Sequence, residues 1–135
     1  MAKIGLDKNA ILGVVDIRKE LVDVPEWGKD AAVWVRGMTG AERDKFESSI
    51  VESRGKGTKV NMVNVRARLA SLTICDEGGN LLFTQADIVA LSAKSASALQ
   101  RIFAVAQRLS GIGDEDVKDF TEGLEDNPLE GSVSD

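Results

Sequence analysis

Apolar positions along the chain follow two periods. Around Val22, Val24, Val33 and Val35 they alternate with polar or aromatic residues, the spacing of a strand with one buried face. Between the two runs lies PEWGKD, where Pro25 cannot donate to a ladder and Gly28 can turn the chain, so the pattern predicts a β-hairpin. Val33 and Val35 share one face of its second strand, which leaves Trp34 and Arg36 on the other while Trp27 sits in the turn. Further on the period lengthens to that of a helix. Met62, Val65, Leu69 and Leu72 form one stripe with Asn64, Arg68 and Ser71 opposite, and Leu99, Ile102, Phe103, Ala106 and Leu109 form another.

Start and stop residues set the limits of the helices. Thr39-Gly40-Ala41-Glu42 has the capping-box spacing, and the helix it opens is expected to run to about Arg54 with Phe46 and Ile50 on one face. The glycines of RGKGTK end it. After the Met62 to Leu72 stripe, Gly78 or Gly79 supplies a left-handed cap and Leu82-Phe83 folds back onto the preceding helix. Thr84 and Asp87 repeat the capping spacing before a short helix, and Ser95 caps the last one, which Gly111 and Gly113 close. Beyond it nine Asp or Glu residues face the single Lys118, a composition that cannot offset its ordering entropy. The expected fold is α+β, predominantly α-helical: an N-terminal β-hairpin packed beside about four helices, then a disordered acidic tail. Residues 1–112 are expected to form one globular domain with a flexible N-terminal segment, and 113–135 an acidic flexible tail.

Composition narrows the function. With 135 residues and 43% hydrophobic content the chain can bury a core of its own. Cys75 is the only cysteine, so no intrachain disulfide or cysteine metal site forms, which fits a reducing compartment. The N-terminus lacks a signal peptide's apolar run, and no later run approaches the roughly 20 apolar residues that span a bilayer, so a soluble intracellular protein and no membrane partner are expected. A net charge of -5 opposes broad phosphate neutralisation, so no nucleic acid is expected; the basic cluster Arg54, Lys56, Lys59 is short.

Catalytic chemistry finds little support. There is no histidine, hence no imidazole base, no Ser-His or Cys-His pair and no histidine metal site. Ser53-Arg54-Gly55-Lys56 has a serine-lysine spacing without its partner motifs, and GKGTK lacks the order of a phosphate loop. Asp76 to Asp87 has the length of a calcium loop, but Leu81 stands where glycine is needed and Gly78 replaces a ligand. Asp114, Glu115 and Asp116 read as a solvated acidic surface. The expectation is a protein without catalytic residues, cofactor or metal. Trp27, Trp34, Arg36, Phe46 and Met62 are the candidate partner-binding residues.

The run VDVPEWGKDAAVWVRGMTGAERDKFE, Val22 to Glu47, resembles the VEVPEWGG, V-V-R and LTGAERD-FE series of tail assembly chaperones of long-tailed, siphovirus-type bacteriophages. Val65 to Val117, with its Leu82-Phe83-Thr84, is similar to the central and C-terminal part of the same family, so the resemblance covers about Ile11 to Val117. It departs at Lys29 to Ala32, which lengthen the turn, and in the tail beyond Lys118. The resemblance implies a non-catalytic protein of the host bacterial cytoplasm, absent from the mature virion, that binds the tape measure protein. It also implies recruitment of the major tail tube protein through a longer frameshifted form, and self-association into oligomers. A small structural or connector component of the tail or head-tail joint is the alternative.

Overall fold

A computed structural model describes residues 2–54, 57–60 and 64–112. The alternating run forms β1 (Lys19–Asp23) and β2 (Ala32–Arg36), an antiparallel pair in which Leu21 lies opposite Trp34 and Lys19 opposite Arg36. Pro25 opens a single 3-10 turn, Pro25–Trp27, and the chain reverses through Gly28 at φ 146° and Asp30 at φ 60°, with Ala32, expected to lengthen the turn, already in β2. Aspartate is among the few side chains that accept the left-handed region. The Val24 N–H then donates to the Ala31 carbonyl at 2.9 Å and closes the hairpin.

Pairing does not stop at the hairpin. β5 (Ile74–Cys75) adds to β2, giving the order β1-β2-β5, with Val35 opposite Ile74 and Trp34 opposite Cys75. β2 is therefore the central strand. Val22, Val24 and Val35 are buried on the inner face, and α5 (Ala96–Leu109) packs across β1 and β2 there. The predicted stripe of α5 is the buried one at Leu99, Ile102, Phe103 and Ala106, joined by Ala98, whereas Leu109 is half-buried. Ser95 caps it, its Oγ accepting from the Ala98 N–H, and Gly111 ends it at φ 74°.

The Thr39 capping box is formed in both directions: the Glu42 N–H donates to Thr39 Oγ1 at 3.1 Å and the Thr39 N–H to Glu42 Oε1 at 2.9 Å. The helix it opens, α2 (Gly40–Ile50), is shorter than expected. Val51–Arg54 and Gly57–Val60 form a separate antiparallel hairpin, β3 and β4, where a helix to Arg54 and a loop were expected. The reason is local: Val51 is β-branched, which favours an extended backbone over a further helical turn.

α3 (Val65–Ser71) also departs from expectation. Val65 and Leu69 are buried and Leu72 is half-buried, but Ser71, expected on the far side, is buried too, its Oγ donating to the Arg68 carbonyl at 2.8 Å. With Ala67 and Ala70 buried as well, α3 is a central helix packed against α5, α4 (Ile88–Ser92) and α2. Met62 lies outside the described residues. Of the Leu82-Phe83 pair only Phe83 packs on the core, Leu82 being 55% exposed, and the left-handed glycine is Gly79 at φ 90°. Thr84 and Asp87 form their capping box around a 3-10 turn, Gln85–Asp87, that leads into α4. At the N-terminus α1 (Lys8–Gly13) is capped by Asp7 and buries none of its residues.

Candidate partner-binding surface

Two surfaces gather the candidate residues. The first is the outer face of the sheet, where the strand alternation places Lys19, Leu21, Trp34 and Arg36 together. Trp34 is half-buried, with Lys19 Nζ 4.8 Å from its ring centroid, a cation–π geometry. Lys19 Nζ also donates to the Glu77 carbonyl. Arg36 is engaged within the fold: its two terminal nitrogens donate to Glu42 at 2.9 and 2.7 Å, and Nη1 also reaches the Gly37 carbonyl at 2.9 Å. Burial by itself would raise the Glu42 carboxyl, but the bonds from Arg36 and the Thr39 amide outweigh it and hold the group below its ordinary range.

The second surface is a groove. One part, about 270 Å³, lies between α2, α3 and the start of α4, with Phe46, Leu72, Leu81, Phe83 and Ile88 on its apolar walls and Lys45 and Arg68 at its edge. The other part, about 410 Å³, is walled by Trp27, Phe83, Ala90 and Leu91 with Asp87 and Lys94 beside them. Phe83 lines both, so the two hollows, one walled by Phe46 and the other by Trp27, are neighbours and together make up an apolar trough. Phe46 is 3% exposed and belongs to the core as much as to the groove. Trp27 is half-buried, and its Nε1 is buried without a hydrogen-bond partner among the described residues. Trp34 and Arg36 line neither part.

Sequence reasoning missed Phe83, Ile88, Ala90 and Leu91 as groove residues. The signal lay in the Leu81-Leu82-Phe83 run, too apolar for an ordinary loop, and in Ile88 and Leu91 three apart on the short helix. The Trp27 end is fixed by charge. Arg101 grips Glu26 with two bonds of 2.7 and 2.8 Å, and Ser97 donates to Glu26 at 2.6 Å. Arg101, followed by Ser97, holds the Glu26 carboxyl down at about 2. A second pair, Arg108 with Glu20 at 2.7 and 2.8 Å, ties α5 to β1.

Among the described residues no group of three or more His, Cys, Asp or Glu side chains could hold a metal ion. Asp76, at the start of the calcium-length loop, accepts the Asn80 N–H at 2.9 Å. Cys75 is buried, which pushes its thiol up and away from nucleophilic character. No helix among the described residues is long and apolar enough to cross a membrane. The arrangement is a small helix-and-sheet body with an apolar trough and a mixed-charge rim, suited to holding another polypeptide.

A family model described as phage tail assembly chaperone matches residues 8–122. That span holds the hairpin, the capped helices and the whole trough, and the chain belongs to this family of chaperones of phage tail assembly. No curated protein and no solved structure shows significant similarity to it.

Proposed function

We propose that this chain is a non-catalytic chaperone that binds and solubilises the tape measure protein of its phage, acting in the host bacterial cytoplasm and leaving before the virion is complete. The observation that carries the reading is the pair of neighbouring apolar hollows that share Phe83, one walled by Phe46 and the other by Trp27. An amphipathic helix can lay its apolar face in such a groove and be withheld from other chains. Asp87 and Lys94 at one end, and Lys45 and Arg68 at the other, give the rim both signs of charge for a helix with polar flanks. The -5 net charge keeps a coated complex soluble by mutual repulsion.

In this reading residues 1–112 are the folded unit and 113–135 an acidic flexible tail. A longer, frameshifted form carries the function of recruiting the major tail tube protein, and the chains associate with one another on the tape measure. No cofactor, nucleic acid or membrane takes part. Ala90 supplies the test, because it is exposed on α4 while lining the trough. Ala90→Glu places a charge on the apolar wall without removing a core side chain. It is expected to leave the melting temperature nearly unchanged and to weaken co-elution with the tape measure protein at least about tenfold, because a bulky carboxylate on that wall, even beside Lys94, must be desolvated against an apolar occupant. Undiminished binding by this variant contradicts the groove as the site.

A further inference from the structure

The three-stranded sheet has two edges, and the fold closes one of them. Beside β5 the chain returns on itself: the Leu82 N–H donates to the Ile74 carbonyl at 3.1 Å, the Asp76 N–H to the Asn80 carbonyl at 2.9 Å, and Cys75 bridges to Leu81. Among the described residues no strand lies along the outer side of β1. An uncovered strand edge is a template for pairing, and natural proteins usually guard it with charge or proline.

Hydrogen bonds at the ends of β1 fix which residues face outward. The Gly37 N–H donates to the Arg18 carbonyl and the Val24 N–H to the Ala31 carbonyl, both at 2.9 Å, so Arg18, Glu20, Val22 and Val24 turn their backbone groups toward β2. By antiparallel alternation the N–H and C=O groups of Lys19, Leu21 and Asp23 point to the open edge. Their side chains share the outer face and all three residues are exposed, Leu21 at 55%. The charges therefore read plus, apolar, minus along one edge, a pattern complementary to its own reverse.

We infer that β1 pairs antiparallel with β1 of a second copy about a twofold axis through Leu21. In this register Leu21 meets Leu21, and Lys19 of each copy meets Asp23 of the other. All three pairings fall on residues whose backbone groups face the edge, so each exchanges main-chain bonds; the Asp23 carbonyl, which already accepts from Arg101 at 3.3 Å, shares its second lone pair. Pro25 has no N–H and ends the ladder at the next outward position. The result is a continuous six-stranded sheet whose outer face carries Trp34, Leu21, Leu21 and Trp34 across the axis. Because an isologous contact pairs this edge with itself, the sheet does not extend beyond the two copies through it.

This specifies the self-association proposed above without depending on tape measure binding, so the two can fail separately. The test is light scattering on the full chain, without partner, from about 1 μM to about 1 mM. Lys19→Asp and Asp23→Lys each set like charges across both outer pairs and are expected to raise the dimer Kd about tenfold or more, while the K19D/D23K double variant restores the dimer. Thermal melts of the same variants separate lost association from lost folding. Leu21→Cys is expected to form a covalent dimer on oxidation, since directly opposed residues of a hydrogen-bonded pair stand about 5.5 Å apart between Cα atoms. A chain that is monomeric throughout overturns the inference. So does an oligomer that ignores both charge reversals and gives no Leu21→Cys crosslink.

Discussion

Glu26 shows how one side chain can hold the candidate surface in place. Sequence reading passed over it as an ordinary turn residue, because its partners Ser97 and Arg101 lie more than 70 positions away. The fold brings them together and docks the Trp27 turn on the start of α5. Arg101, with Ser97, lowers the carboxyl from its ordinary 4.5 to about 2, so its contribution to stability is complete above about pH 4.5 and is lost as the pH falls toward 2. Glu20 and Glu42 are shifted in the same direction by Arg108 and Arg36. Glu26→Gln is therefore expected to lose less melting temperature than the wild type between pH 4.5 and 2, measured by thermal scans at fixed ionic strength. Equal losses in the two proteins contradict the assignment. Trp27 itself was legible as a turn aromatic, but its neighbours in the trough were not, since Phe83, Ala90 and Leu91 approach it only through tertiary packing.

Elements read from sequence survived where local signals and tertiary packing agree. The α5 stripe, both capping boxes and the β1–β2 hairpin rest on periodicity or on bonds made within a few residues, and those are written locally. The β3–β4 pair was missed because a helical reading and a strand reading compete at the β-branched Val51, and its partner Val60 lies beyond the local window. β5 is two residues long and exists through its partners on either side, so no sequence period announces it. Its presence makes β2 central. A proline at Val35 would therefore break the middle of the sheet. The meeting of β2 with α5 has its own requirement at Gly37, where a Cβ would lie 2.5 Å from the Leu109 carbonyl oxygen and 3.1 Å from its carbon. Both are backbone atoms and neither can rotate away. Gly37→Ala is expected to cost about 1–3 kcal/mol in urea denaturation, the usual range for overpacking, whereas an unchanged midpoint would show that the strand and helix can separate freely.

Taken as one body, the molecule separates two faces. The trough lies among the Trp27 turn, α2, α3 and α4, and pairing through Lys19, Leu21 and Asp23 of β1 uses none of the residues that line it. The arrangement fits the proposed role, in which one face takes an apolar helix and another pairs with a second copy. The decisive measurement is co-expression with the tape measure protein of the same phage, followed by size-exclusion chromatography with light scattering of the soluble fraction. The account predicts a soluble, co-eluting complex where the tape measure protein alone precipitates, and a return of precipitation when Ala90→Glu replaces the wild type. A tape measure protein that still precipitates beside a freely soluble partner, in its short form and in any frameshifted form, would contradict it.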